Sequence, residues 1–410
     1  MKSENVFAGI KQRLDKVSDF MNLSENEVAL LLKHEKVSRS ILDVDGKKYP
    51  AWRIIHSNAL GPGKGGIRFH EGVSEDEVKS LSFWMSLKTS LLGLPLGGGK
   101  GGVKFNPKEV YEDELQKISR AYIRAFVDVV GVDKDIPAPD VYTNSQIMAW
   151  MLDEYEKIKG VKEPGMITGK PLELGGIKLR GDATSKGGLI VLNEFLEVVG
   201  KDIDEIRVAI QGFGNAGSHI ASMLSSEGFK IVAVSDSRGG VFDDSGLDIA
   251  EIINLKKERK TVQDYQSNKI SNSELLELNV DILVLAALEN QITSENVDEV
   301  RAKYILELAN GPVSADADEV LFKKGIVVIP DILANAGGVV VSYFEWSQNK
   351  VGNILEEEFL KGKLDEMMKN AFHRVYELYQ ENKDKLSMRE AAYVIALKRI
   401  LEAEKVRGRL

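Results

Sequence analysis

The chain has no cysteine in its 410 residues, which excludes disulfides, thiolate nucleophiles and cysteine-ligated metal together. Its five histidines, at 34, 56, 70, 219 and 373, show no metal-ligand spacing, so no metal site is expected. Positive charge is not in excess either: 54 Lys and Arg against 63 Asp and Glu leave a formal net charge of -9, whereas a nucleic-acid footprint needs a concentrated basic face. The densest basic cluster, Lys256-Lys257-Glu258-Arg259-Lys260, is broken by an acid and reads as a solvated helix end. The longest apolar run, Ile282 to Leu288, is too short to span a bilayer. At the start of the chain, charged and apolar residues alternate where a leader peptide would build an apolar stretch. A cytoplasmic protein with no membrane and no nucleic-acid partner is expected.

Glycine, by contrast, is abundant and concentrated. Leu91 to Gly102 reads LLGLPLGGGKGG and places Lys100 among five glycines, a density that implies a tight, crowded loop. A phosphate-cradling loop needs Gly six residues before its Lys and Ser or Thr after it; Leu94 and Gly101 stand there instead. The stretch reads as a mount for a catalytic amine, or equally as a glycine turn with a solvated lysine. A second turn-rich stretch, GPGKGGIRF at 61 to 69, holds Lys64 and follows a strand-like segment from Tyr49 to Asn58. Ser74-Glu75-Asp76-Glu77 then opens a helix whose inward stripe, Val78, Leu81, Met85 and Leu92, also includes Lys88. A buried ammonium must find a partner or shift its pKa; otherwise Lys88 snorkels to the stripe's edge. In DIPAPDVYTN, residues 135 to 144, Pro137 and Pro139 stiffen the backbone and fix Asp140, a residue that could equally cap a helix.

Further helices are expected from Phe7, Ile10, Leu14, Val17 and Met21, and over 109 to 130. From about 183 to 334 strands and helices alternate, with strands at Ile206–Ile210, Lys230–Ser235, Asp281–Ala287, Tyr304–Ala309 and Ile326–Ile329. That is the texture of a parallel, doubly wound sheet. Gly212, Gly214 and Gly217 form G-x-G-x-x-G directly after a strand and at a helix start, and Asp236 ends the next strand nineteen residues on. This context predicts a dinucleotide site: pyrophosphate at the helix N-terminus and Asp236 at the ribose. Length then supports an α/β architecture of two domains. Residues 1–182 are expected to form a substrate-binding domain, 183–334 a Rossmann dinucleotide-binding domain, and 335–410 connecting and C-terminal helices that pack on the first domain.

The motifs GPGKGGIRFH, LPLGGGKGG, DIPAPD, GFGNAG and DILANAGGVVVSYFEWSQN, in this order over about residues 50 to 350, resemble the glutamate/leucine/phenylalanine/valine dehydrogenase family, most closely its glutamate-acting branch. The resemblance implies a reversible, NAD- or NADP-dependent oxidative deamination of L-glutamate to 2-oxoglutarate and ammonium, in a homo-oligomer expected to be a hexamer. It implies Lys100 and Asp140 as catalytic lysine and aspartate, Lys88 on the substrate α-carboxylate, and Lys64 with Ser342 on the side-chain carboxylate. Asn335 and Asn310 would line the nicotinamide and substrate region. Thr184, Gly212, Gly214, Asn215, Ala216, Gly217, Asp236 and Ser237 would contact the cofactor. Lys64 and Lys88 would also disfavour protonation of Lys100, leaving neutral amine to act as a base. Family members acting on leucine, valine or phenylalanine carry an apolar residue at the Lys64 position, so Lys64 argues for a second carboxylate over these alternative substrates. Intact Lys100 and Asp140 argue against a non-catalytic regulatory paralogue. Departures from the family pattern are Gly63 before the lysine, Ser185-Lys186 after Thr184, and LELANGP around Asn310. Asp236 suits a free ribose hydroxyl, while Ser237 and Arg238 could receive a 2′-phosphate, so NADP, or use of both cofactors, is favoured slightly.

Overall fold

The computed structural model describes residues 6–410, with the side chains of residues 6–8 and 205 outside that description. Phe7, expected on the buried stripe of the first helix, is among these. The chain divides into two units: one comprises the described residues up to Arg180 with Val339–Lys363 and Tyr393–Leu410, the other Gly181–Gly338 with Leu364–Ala392.

The first unit begins with α1 (Val6–Met21) and α2 (Glu25–Leu32), then β1 (Lys36–Val44), β2 (Lys47–Ser57) and β3 (Gly63–Phe69). It continues through α3 (Glu75–Leu91), β4 (Gly98–Val103), α4 (Glu112–Phe126), β5 (Asp135–Pro139) and α5 (Ser145–Lys159). The five strands make one sheet in the order β1-β2-β4-β3-β5. β4 runs antiparallel to β2 and parallel to β3, and β3 is parallel to β5. Both glycine-rich stretches, read from sequence as turns, are therefore strands. The reason is close approach. A Cβ on Gly98 would lie 2.2 Å from the Ser86 nitrogen of α3, and one on Gly65 would lie 1.7 Å from the Gly99 oxygen, so these strands pack at distances no side chain permits. The start of α3 follows from Ser74, whose hydroxyl accepts from the Glu77 N–H at 3.2 Å, with acids filling the first turn. Asn144 caps α5 and Gly160 ends it at φ 69°, which leaves Asp140 outside any cap.

The second unit holds α6 (Ala183–Val198), β6 (Arg207–Gln211), α7 (Asn215–Ser226), β7 (Lys230–Asp236), β8 (Gly239–Phe242), α8 (Ile249–Lys257), β9 (Asn268–Ile270) and α9 (Asn272–Leu276). β10 (Ile282–Leu285), β11 (Tyr304–Glu307), α10 (Ala315–Lys323), β12 (Val327–Ile329) and α11 (Asp331–Ala334) follow. The sheet order is β12-β11-β10-β6-β7-β8-β9. Its strands from β12 to β7 are parallel, as the alternation predicts; β8 and β9 add an antiparallel edge that short segments of three or four residues do not announce. Leu283, Leu285, Ile305 and Val328 build the core with α9 and α10.

Three helices complete the chain: α12 (Gly337–Val351), α13 (Glu357–Glu381) and α14 (Met388–Val406). The expectation assigned all of them to the first domain, whereas Leu364–Ala392 belongs to the second unit. Arg389 explains the difference, because its buried guanidinium pairs with Glu307 and Asp331, at 2.7 and 3.3 Å, and with Asp318.

Candidate active site

In the first unit, Lys64 lies on β3, Lys88 on α3, Lys100 on β4, Asp140 directly after β5, and Ser342 on α12. The three lysines are buried, at 1%, 6% and 6% exposure, so neither the solvated turn nor a snorkelling Lys88 applies. The Lys100 ammonium is 2.5 Å from the Asp140 carboxylate. Burial pushes the Lys100 pKa down; Asp140 opposes this, and the Arg68 guanidinium adds to it. For Asp140, burial alone would raise the pKa, but Lys100 and Arg68 together draw it to about 2. Arg68, 3.5 Å from Asp140, therefore helps to depress Lys100, a role expected of Lys64 and Lys88. Arg68 lies inside the motif GPGKGGIRFH, four residues after Lys64, and its alternation with Lys64 along a strand was the available signal.

Around Lys64 the charges do not cancel. Burial and the Arg180 and Arg53 guanidinium groups push its pKa well down, against weaker attraction from Glu345 and Asp135. Neither acid is in contact: Lys64 makes no ion pair or side-chain hydrogen bond among the described residues. Glu345 is taken by Lys170 at 2.7 Å and by the Gly169 N–H, and Arg180 donates to the Ser342 hydroxyl at 2.8 Å. Lys170 and Glu345 are 175 residues apart, so no local pattern reveals their pairing.

In the second unit, Gly212 takes φ +93°, and a Cβ there would meet the Ala286 carbonyl carbon at 2.7 Å. This is the point where β6 and β10 meet and the strand order reverses, the usual ligand crevice of such sheets. Gly217 packs against Gly212, while a Cβ on Gly214 would meet nothing within 4 Å. Gly214 opens α7 without a side-chain cap bond, so its turn presents bare backbone N–H groups of the kind that hold a pyrophosphate. Asn215 donates to the Gly181 carbonyl at 3.1 Å, and the Ala216 carbonyl accepts from Ser185 at 2.9 Å. Thr184, at the start of α6, has its hydroxyl 3.2 Å from where a Cβ on Gly338 would stand. Asn335 donates to the Asn310 side chain at 3.1 Å, so this pair forms as a unit. Asp236 differs from the simple ribose-binding acid. Its carboxylate accepts from Lys256 at 2.7 Å and from the Val262 and Arg238 N–H groups at 3.0 and 2.9 Å. Ser237 and Arg238 beside it are exposed.

A doubly wound unit with a glycine turn at its switch point, joined in one chain to a unit carrying a buried Lys–Asp pair, defines a nicotinamide-dinucleotide dehydrogenase. The chain belongs to the Glu/Leu/Phe/Val dehydrogenase family: the model for Glutamate/Leucine/Phenylalanine/Valine dehydrogenase matches residues 175–408, and that for the Glu/Leu/Phe/Val dehydrogenase dimerisation domain matches 34–157. It is 48% identical, over 88% of its length and 85% of the relative's, to a cryptic catabolic NAD-specific glutamate dehydrogenase of Bacillus subtilis. It is 43% identical to an NADP-specific glutamate dehydrogenase of Synechocystis, over 98% of this chain and 97% of that one. Among solved structures, the hetero-hexameric glutamate dehydrogenase of Thermus thermophilus in its Leu-bound form superposes with a TM-score of 0.91 at 30% identity, covering 100% of this chain and 98% of that one. Glutamate dehydrogenase from Peptoniphilus asaccharolyticus gives 0.85 at 37% identity, covering 98% and 99%.

Proposed function

We propose that the protein is a glutamate dehydrogenase, interconverting L-glutamate with 2-oxoglutarate and ammonium using NAD or NADP. One observation carries the choice of substrate: the buried Lys64 ammonium, 1% exposed, lacks an anion in contact among the described residues. An apolar substrate would leave that charge desolvated and unpaired, whereas a second carboxylate on the substrate compensates it. Ser342, already accepting from Arg180, has its own hydroxyl hydrogen left to donate to the same carboxylate. Lys88 takes the α-carboxylate.

The turn Gly212, Gly214, Asn215, Ala216 and Gly217, with Thr184, Asp236, Ser237, Asn310 and Asn335, holds the dinucleotide. When bound, it accepts hydride from the substrate α-carbon and returns it in the reverse reaction. In deamination the resulting iminium is attacked by water, and neutral Lys100 takes the water's proton. Asp140 exchanges protons with the substrate nitrogen, so that ammonia departs and the 2-oxo acid remains. A lysine of unperturbed pKa would be almost wholly protonated at neutral pH; burial and Arg68 supply the needed neutral fraction.

The likeness of residues 34–157 to a dimerisation domain, and the hetero-hexameric Thermus relative, support a hexamer, read here as one of identical chains. No helix among the described residues is long and apolar enough to cross a membrane, in keeping with a cytoplasmic role in amino-acid and nitrogen metabolism. The decisive experiment follows nicotinamide absorbance with 2-oxoglutarate and ammonium, NADH and NADPH in parallel, and 2-oxoisocaproate as control. Oxidation with 2-oxoglutarate alone is expected. Preference for 2-oxoisocaproate would overturn the reading.

A further inference from the structure

Arg53 on β2 and Asp135 on β5 form a fully buried ion pair, with both side chains at 0% exposure. The contact is forked: Arg53 Nε donates to Asp135 Oδ2 at 2.6 Å and Nη2 to Oδ1 at 2.5 Å, while Nη1 donates to the Gly65 carbonyl at 3.0 Å. In the sheet, β4 and β3 lie between β2 and β5, so the pair bridges beneath the two strands that carry Lys100 and Lys64. The glycines of those strands rest directly on it. A Cβ on Gly63 would come 2.8 Å from Asp135 Oδ1, one on Gly99 2.5 Å from the same oxygen, and one on Gly101 3.3 Å from Arg53 Nη1. Side chains alternate along a strand, so Lys64 and Lys100 leave their strands on the side opposite these contacts.

We propose that the Arg53–Asp135 pair is the positioning element of the active site, a template that fixes the backbone beneath Lys64 and Lys100 and so sets the two ammonium groups for one dicarboxylate. The inference rests on the glutamate reading above. Strands made of glycine have no side chains to order them and lose more conformational freedom on folding than any others. Something outside them must define their path. A buried ion pair is a poor device for stability, since apolar replacements of similar volume are often neutral or better, but the rigid fork of an arginine fixes direction and distance. Neither residue touches substrate in this scheme; both act through the glycines.

The test compares wild type with Arg53→Lys, which loses the fork and its reach to Gly65, and with the double variant Arg53→Met/Asp135→Leu, which replaces both charges together. For each, kcat and KM for 2-oxoglutarate, KM for the dinucleotide, the pH profile of kcat and the thermal midpoint are measured. Displacing reacting groups by about 1 Å costs roughly 100-fold. Both variants are therefore expected to lose about 10- to 100-fold in kcat, to raise KM for 2-oxoglutarate, and to shift the pH profile, with the dinucleotide KM unchanged. A lowered thermal midpoint with unmoved KM and pH profile would overturn the proposal, as would failure of both variants to fold. Wild type that turns over only an apolar 2-oxo acid would refute the glutamate reading instead, and the same variants would then be judged on that substrate.

Discussion

Lys100 and Asp140 meet at 2.5 Å although they come from different strands, one within β4 and the other immediately after β5. Neither has an ordinary pKa: burial drives Lys100 down, while Lys100 and Arg68 overcome burial to bring Asp140 to about 2. On the mechanism proposed above, a base and its proton partner are held in one contact. Lys100→Ala is expected to lower kcat by about 10²- to 10⁴-fold, the usual weight of general acid–base catalysis, with little change in KM for either substrate. In Asp140→Asn the partner that raises the Lys100 pKa is gone, so the ascending, low-pH limb of the residual pH–rate profile for deamination moves to lower pH. A limb that stays in place would show that Lys100 is not the titrating group.

Lys64 invites the opposite trade between stability and activity. Removing one partner of a buried charge pair costs about 3 to 5 kcal/mol, on the order of 10²- to 10⁴-fold in kcat/KM for glutamate in a Lys64→Met variant. The free protein, relieved of a buried cation that has no anion in contact among the described residues, should show an equal or higher thermal midpoint. Lower activity together with a lower midpoint would mean that Lys64 is a structural lysine.

His56 makes a prediction remote from the chemistry. It is buried between Ser86 Oγ at 2.8 Å and the Leu31 carbonyl at 2.7 Å, and burial, with His34 nearby, lowers its pKa to about 3. The carbonyl can only accept, so Nε2 carries the proton and the ring is neutral. The unfolded chain binds a proton near pH 6.5 that the folded chain refuses until about 3, so stability is full above the upper value and falls as pH falls between them. At about 1.4 kcal/mol per pH unit the loss reaches about 5 kcal/mol below the lower value. Thermal midpoints measured from pH 7 to 4 should fall less steeply in His56→Gln than in wild type.

The sequence made the second unit more legible than the first. Strand–turn–helix spacing around Gly212 located β6, the turn and α7 because that motif is local: Gly212 and Gly217 each answer a contact within one βα unit or the neighbouring strand. The glycines flanking Lys64 and Lys100 were misread as turns because their partners, Ser86, Asp135 and Arg53, are distant in sequence and the strands lack the apolar alternation by which strands are recognised. Arg53 in YPAWRIIHSN and Asp135 before two prolines were visible as charges in apolar company, but nothing local says that they meet. Asp236 falls where the motif requires an acid; its capture by Lys256 depends on how α8 packs on the sheet.

Arg389 offers the sharpest test of the fold's electrostatics, since its buried guanidinium serves Glu307, Asp331 and Asp318 at once. Burial raises the Glu307 pKa, and the two aspartates add to the rise against the pull of Arg389. A carboxyl raised in this way binds its proton more tightly folded than unfolded, so its contribution to stability is present below its ordinary value and is lost as pH rises through the folded one. In Arg389→Met the opposing cation disappears and Glu307 must either stay protonated or remain as an unpaired buried charge. The variant is expected to destabilise the second unit by about 3 to 5 kcal/mol at pH 8 and by less at pH 5, where the proton is available at little cost. Denaturant unfolding at the two pH values, read separately from activity because unfolding of a two-unit chain need not be all-or-none, decides it. A loss that is equal at both would show that Glu307 takes up no proton when Arg389 is removed.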